Sequence, residues 1–308
     1  MKVSAGDIIK LLNKRGKKFE YHGKDNLEIS AFSSLSNIKE ESIIWVKKGT
    51  EETAALIKQI PDLLVVCTPD FYEMYINQTN AIVCRNPKSI YFYILEHFFA
   101  REAERKIEDS AIVKTNHIGK NCAVGHYTYI GPKVTLGNNV KIGNHVSIEN
   151  EVIIGDNTSI GSGTVIGSEG FGYYKDDDGV SIKVPHFGGV EIGKSVEIGA
   201  NVCIDRGTLD NTVIQDYVKI DNLCHIAHNV RIGAKSKVVA LSLLAGSCTL
   251  GESVYIAPGT LVKNQIEIGR GSIVGMGSMV LKDIGVGKVV VGAPAKVIRD
   301  ATEEDMNL

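Results

Sequence analysis

The stretch VKIGNHVSIENEVIIGDNTSIGSGTVIG, residues 140–167, places an isoleucine at every sixth position: Ile142, Ile148, Ile154, Ile160 and Ile166. The same column runs back through Leu136, Ile130, Val124 and Ile118 to Ile112. It resumes at Ile192, Ile198 and Ile204, slips by two residues, and continues from Ile214 through Ile220, Ile226, Ile232, Val238, Leu244, Leu250, Ile256, Val262, Ile268 and Val274 to Val280. A fixed short period of this length defines a repeat architecture. Four residues after each aliphatic stands something small or β-branched, as at Cys122, Thr128, Val134, Val140, Val146, Val152, Thr158 and Thr164, then Val218, Cys224, Val230, Ser236 and Ser242. Inward positions at i and i+4 alternate as a strand does, because i+4 lies two residues before the next aliphatic. Position i+1 is glycine at Gly119, Gly125, Gly131, Gly137, Gly143, Gly155, Gly161 and Gly167, and a corner without a Cβ is expected to let the chain turn sharply. Short flat faces joined by such corners wind into a parallel β-helix.

These repeats resemble those of the hexapeptide-repeat acyltransferases, whose strands coil into a left-handed triangular prism with three hexads per turn. The left hand is implied by the resemblance alone, since parallel crossovers in general are right-handed. The expected fold class is mainly β, a left-handed parallel β-helix over residues 106–284, preceded by a small α/β domain at 1–105 and followed by a tail at 285–308.

The chain has 308 residues, is 44% apolar and carries a net charge of −2, which gives no reason to invoke nucleic acid or a membrane surface. The opening MKVSAGDIIKLLNKRG lacks an apolar core of signal-peptide length, and no later segment reaches the ~18 apolar residues of a membrane span. A cytoplasmic location is expected. The six cysteines form no CxxC pair, and Cys122, Cys224 and Cys248 fall in the small inward column, where they read as core filling.

Ahead of the repeats, Ser4 and the pattern Ile8, Ile9, Leu11, Leu12 predict a capped helix ending near Gly16. Strands are expected at 42–46, 62–67 and 81–84, and helices at 51–60 and 71–76. Asn86-Pro87 opens a further helix, from Lys88 to about Arg105. Trp45, the only tryptophan, is either a core aromatic or a platform for a flat ligand ring.

The repeat departs from its own rule in two places. Residues 168–189, SEGFGYYKDDDGVSIKVPHFGG, cannot lie inside a filled prism and must project as a loop, carrying Phe171 and Tyr173; it either covers a site or is a solvated hairpin. Between Asp205 and Lys263 the corner glycine becomes scarce, and that region holds DNLCHIAHN, residues 221–229. His225 and His228 lie off both inward columns and should face outward. A neutral imidazole can take a proton near physiological pH, and nearby Asp221 and Asn222 are candidates to orient it, so His228 is the candidate general base. Metal binding is not expected, because no third ligand follows at a defined spacing.

GSEGFGY (167–173), GGVEIGKSVEIGANVCIDRGTLDNTVI (188–214) and DNLCHIAHNVRIG (221–233) resemble the signature of the UDP-3-O-acylglucosamine N-acyltransferases, the LpxD family of lipid A synthesis. SIIWV and NPKSIY fall at family-like positions in the amino-terminal domain, which the resemblance makes a nucleotide-binding domain. The resemblance implies that His228 is the general base, that Asp221 and Asn222 are its polar partners, and that Gly246 in LLAGS supplies a backbone N–H to the thioester carbonyl. It also implies a homotrimer with sites in the clefts between neighbouring prisms. The chemistry is amide formation from a thioester and an amine, needing no metal and no tightly bound cofactor. His228, Phe171, Tyr173, His225, Gln265 and Trp45 would surround the substrate.

Three departures from that family bear on substrate. Lys48 and Glu51 stand where an asparagine and a second aromatic flank the uracil, which opens the base to uridine or thymidine. Gln265 stands in place of a further histidine. The carboxyl-terminal helices that help hold acyl carrier protein are missing; the tail VGAPAKVIRD instead resembles acetyl-CoA-dependent sugar acetyltransferases, so that Pro294 and Lys296 could contact a CoA nucleotide. The resulting expectation is an N-acyltransferase using acyl-CoA, with a short-chain or 3-hydroxyacyl group, on a nucleotide-linked amino sugar. The alternatives are a lipid A enzyme using 3-hydroxyacyl-acyl carrier protein and, more distantly, a non-catalytic β-helix scaffold.

Overall fold

The computed structural model describes residues 2–100, 105–149, 151–303 and 305, and the chain divides into two compact units, 1–103 and 104–308.

In the first unit a five-stranded sheet takes the order Glu20–His22, Ala81–Val83, Leu64–Cys67, Ser42–Val46, Ala31–Phe32; the first strand is antiparallel to its neighbour and the others run parallel. Parallel sheets are covered on both faces, which is why SIIWV, LVVC and AIV are almost continuously apolar. Ile43, Leu64, Val66 and Ile82 pack to one side, and Ile44, Val46, Val65, Cys67, Ala81 and Val83 to the other. The first helix runs Ala5–Lys14, with the Ser4 hydroxyl accepting from Asp7 N at 3.1 Å. The helix expected at 51–60 is Glu51–Gln59, closed by a Thr50–Thr53 capping box. The segment expected as one helix at 71–76 is a short α turn, Pro69–Phe71, leading into a π-helical turn, Tyr72–Ile76. The long helix begins at Pro87 and runs to Phe98, with Phe99 as its C-cap; residues 101–104, near its expected end, lie outside the described residues.

In the second unit three sheets of nine, seven and ten strands, parallel except for the last strand of the ten, form the faces of a coil. Successive turns pair at the same phase of the repeat: Ile130 with Ile148, Ile142 with Ile160, Ile226 with Leu244. The aliphatic column fills the interior from Val124 to Val280. The small column is buried as well, and its hydroxyls bridge turns: Thr164, fully buried, donates to Gly199 O at 2.8 Å and accepts from Val202 N at 3.1 Å. Cys122, Cys224 and Cys248 are buried in that column as free thiols, and burial pushes the Cys248 thiol up to about 12.

The corner glycines act differently from the expectation. At Gly119, Gly125, Gly137, Gly143, Gly155 and Gly161 a Cβ would fall 2.3–2.7 Å from an atom of the next turn, so glycine is required by the close approach of stacked corners. The left-handed backbone sits two residues later, at Asn121, Tyr127, Asn139, His145, Asn157, Leu223, Asn229, Leu241 and Ser247, with φ from 55 to 62°.

The apparent slip after Ile204 is also different. The strand Cys203–Arg206 on the nine-stranded face is followed directly by Thr212–Ile214 on the seven-stranded face, so the ten-residue step is one hexad with a corner lengthened by four. The insertion at 168–189 leaves the same edge one turn earlier, between Val165–Glu169 and Val190–Ile192. Beyond the coil, Lys288–Val291 pairs in parallel with Ile273–Val274, and Lys296–Asp300 folds back antiparallel on it.

Candidate functional site

One edge of the coil, where the nine-stranded face turns into the seven-stranded face, carries both the inserted loop and the lengthened corner. Stacked along it are the base of the inserted loop, the lengthened corner 207–211, then His228 and Asn229, Gly246 and Ser247, and Gln265. Backbone hydrogen bonds tie the last three turns, from Ser247 N to His228 O at 2.9 Å and from Gln265 N to Gly246 O at 3.0 Å.

The lengthened corner holds Asn229. Its Oδ1 accepts from Thr208 N and Thr208 Oγ1, both at 3.0 Å, while its Nδ2 donates to Asp210 O at 3.2 Å. A backbone donor on one side and a backbone acceptor on the other leave the amide a single orientation. The same Oδ1 lies 3.0 Å from His228 Nδ1, and an amide oxygen only accepts. In the neutral ring His228 therefore carries its proton on Nδ1, and Nε2 presents a lone pair. Nε2 faces Gly246: a Cβ there would stand 2.7 Å from it, so only glycine leaves the nitrogen open to a reactant.

The inserted loop has two parts. Its tip is a hairpin, Tyr173–Lys175 against Ser181–Lys183, exposed along both strands. Its base is fixed and packs on His228. Arg206 Nε donates to Gly188 O at 2.6 Å, Phe187 N donates to Thr208 O at 2.7 Å, and Lys183 pairs with Glu169 at 2.7 Å, holding that exposed carboxyl below its usual range through hydrogen bond and charge. This brings His186 edge-on to His228, with ring centroids 5.4 Å apart at 77°. Gly170 closes over both: a Cβ there would meet His228 Cδ2 at 2.9 Å and His186 Nε2 at 3.1 Å. The insertion is thus both a solvated hairpin and a cover, in different halves.

Of the expected site residues, His228, Gly246 and Gln265 share this edge. Asp221 and Asn222 do not: they lie at the corner between the ten-stranded and nine-stranded faces, where Asp221 accepts from Asn222 N and Ala240 N and Asn222 accepts from Ala200 N at 2.6 Å. His225 stands outward on the nine-stranded face with Nε2 3.7 Å from Oδ2 of the buried Asp205, whose Oδ1 accepts from Ser168 Oγ at 3.2 Å. Phe171 and Tyr173 are exposed and touch edge to face at 4.9 Å. Pro294 occupies the turn before the last strand and Lys296 opens it, both exposed. In the first unit Trp45 is half-buried on the core. A cavity of about 1060 Å³ in that unit is lined instead by Lys17, Lys18, His22, Tyr72, Arg85 and Asn86 among others. Among the described residues no group of three or more His, Cys, Asp or Glu side chains could hold a metal, and no helix is long and apolar enough to cross a membrane.

His186, Gly170 and Thr208 were not singled out in the sequence, and Asp205 only as a corner that lacks glycine. Counting three hexads per turn would have pointed to the region, because it puts the insertion, the lengthened corner and His228 in one column, though not to His186 itself.

This fold is the left-handed parallel β-helix. Solved UDP-N-acetylglucosamine acyltransferases share it: LpxA from Acinetobacter baumannii (TM-score 0.58, 24% identity, 65% of this chain and 76% of that one) and the enzyme from Campylobacter jejuni (0.58, 23%, 66% and 81%). Residues 117–150 and 137–168 match the family described as bacterial transferase hexapeptide (six repeats). Its curated relatives are named UDP-3-O-acylglucosamine N-acyltransferase. One from Legionella pneumophila (strain Lens) is 57% identical over 86 residues, 28% of this chain and 25% of its own length; one from strain Paris is 44% identical over 132 residues, 43% and 38%. One from Bordetella parapertussis is 41% identical over 120 residues, 38% and 33%. The matches span a quarter to about two-fifths of the relatives' length.

Proposed function

We propose that this protein is an N-acyltransferase that moves an acyl group from a thioester to the amine of a UDP-linked 3-O-acylglucosamine. The observation that carries the reading is His228 Nε2, facing Gly246, with Nδ1 held by Asn229 Oδ1. The amine nitrogen bonds to the thioester carbonyl carbon, the C–S bond breaks, and the proton taken by His228 passes to the departing thiolate. General-base help of this kind is worth ~100 to 10,000-fold. A main-chain donor at Gly246 would meet the oxyanion, a contact worth ~2.7 to 4 kcal/mol in comparable sites. A scaffold would have no use for an imidazole locked in one tautomer.

The relatives' names favour the lipid A type of acceptor over nucleotide-linked amino sugars in general, and they lend no support to the acyl-CoA donor expected from the tail. The donor is an acyl thioester, with acyl carrier protein and CoA as the two forms to compare. Thioesters and nucleotide sugars are intracellular metabolites, in keeping with the expected cytoplasmic location. A homotrimer would account for Asp221 and Asn222: they occupy the next edge of the prism, and threefold packing would set that edge of one copy against His228 of another. The first unit, 1–103, would take the nucleotide.

The deciding assay offers UDP-3-O-acylglucosamine beside UDP- and dTDP-linked amino sugars, with 3-hydroxyacyl groups on acyl carrier protein and on CoA, and weighs the products. Acylation of UDP-3-O-acylglucosamine is expected. Product from the other amino sugars alone would restore the broader reading, and no product from any pair would remove acyl transfer altogether.

A further inference from the structure

His186 is 5% exposed, and its Nε2 is the one buried side-chain nitrogen or oxygen without a hydrogen-bond partner among the described residues. Its Nδ1 lies 2.8 Å from Val184 O, and a carbonyl only accepts, so in the neutral ring the proton is on Nδ1 and Nε2 carries a lone pair. A buried acceptor left unpaired costs ~1–3 kcal/mol. This one lies beside His228, and both rings reach within about 3 Å of the point a Gly170 methyl would occupy.

Resting on the acyl-transfer reading, we propose that His186 selects an amine over a hydroxyl as the acyl acceptor by taking a hydrogen bond from the amine hydrogen that His228 does not remove. An alcohol brings one hydrogen, which the base takes; a primary amine brings two, and one stays on the amide product. Two acceptors each ~2.9 Å from one tetrahedral nitrogen stand about 4.7 Å apart; the two rings lie edge to face with centroids 5.4 Å apart, which makes them neighbours along the same cleft. With an amine bound, Nε2 is satisfied; with an alcohol it stays buried and unpaired. Sites built around such an acceptor reject the analogue that lacks the donor.

The test measures acyl transfer to UDP-3-O-acylglucosamine and to the matching glucose compound, which has a hydroxyl in place of the amine, for wild type, His186→Leu and His186→Gln. In His186→Leu the amine rate should fall about tenfold or more while the hydroxyl rate holds or rises, so that the selectivity ratio collapses. His186→Gln, whose Oε1 can accept, should restore much of the ratio. A merely structural role would lower both rates together, and an unchanged ratio in His186→Leu overturns the proposal. Wild-type protein that acylates neither compound overturns the acyl-transfer reading and the proposal with it.

Discussion

Asn229 Oδ1 lies 3.0 Å from His228 Nδ1 and takes two further hydrogen bonds from Thr208, so a main-chain donor in the lengthened corner sets the tautomer of an imidazole on the next turn. Asn229 sits at φ 60°, which glycine adopts freely. Asn229→Gly should therefore keep the fold and lose activity about tenfold, the worth of one such hydrogen bond. Asn229→Asp, which still accepts from Nδ1, should lose less. Steady-state rates and thermal melts of both variants check this; equal rates in wild type and Asn229→Gly would remove Asn229 from the mechanism.

Corner glycines should differ in cost by the space beyond them. A Cβ on Gly161 meets Gly199 C at 2.5 Å, whereas one on Gly285 meets nothing within 4 Å. Gly161→Ala should cost ~1–3 kcal/mol and Gly285→Ala less than ~0.5. Denaturant unfolding of the two proteins measures the difference.

Thiol chemistry should follow burial. Cys203 is exposed, while the other five cysteines are buried. Burial pushes the Cys67 and Cys248 thiols up to about 12 and raises Cys224 too, which lowers the thiolate fraction at any given pH. Burial and then Asp205 also raise Cys203, so its reaction should quicken as pH climbs above its ordinary range. A colorimetric thiol titration near pH 8 should find one thiol in the native protein and six in denaturant. Rapid reaction of all six without denaturant would contradict the packing.

Trp45 is the only tryptophan, so intrinsic emission reports on the first unit alone. If its ring is a platform for the base, UDP should quench the emission saturably and Trp45→Leu should weaken UDP binding. Emission unmoved by saturating UDP leaves Trp45 as the core aromatic that its half-buried packing already makes it.

The coil was legible because its rule is local and periodic: each Ile142 or Val146 declares a face, and the turn-to-turn pairing follows. The corner chemistry was less so. Glycine at i+1 suggested a turn, but the constraint is an atom a full coil away, and the left-handed residue at i+3 can be Leu223 or Tyr127 because the stacked turns enforce it. His228 stood out by breaking the pattern. His186 did not, because it lies in a segment with no period, and only the fold brings its ring to His228. Asp221 and Asn222, seven and six residues before His228 in the sequence, looked like its neighbours; a face of the prism separates them.

The central claim is that His228 removes a proton from the attacking amine. Its most direct measurement is the rate of acyl transfer to UDP-3-O-acylglucosamine by His228→Gln and His228→Ala beside wild type, with melting temperature and oligomeric state recorded for each. A loss of ~100-fold or more in folded, correctly assembled variants is predicted. Full activity in either variant would contradict the claim.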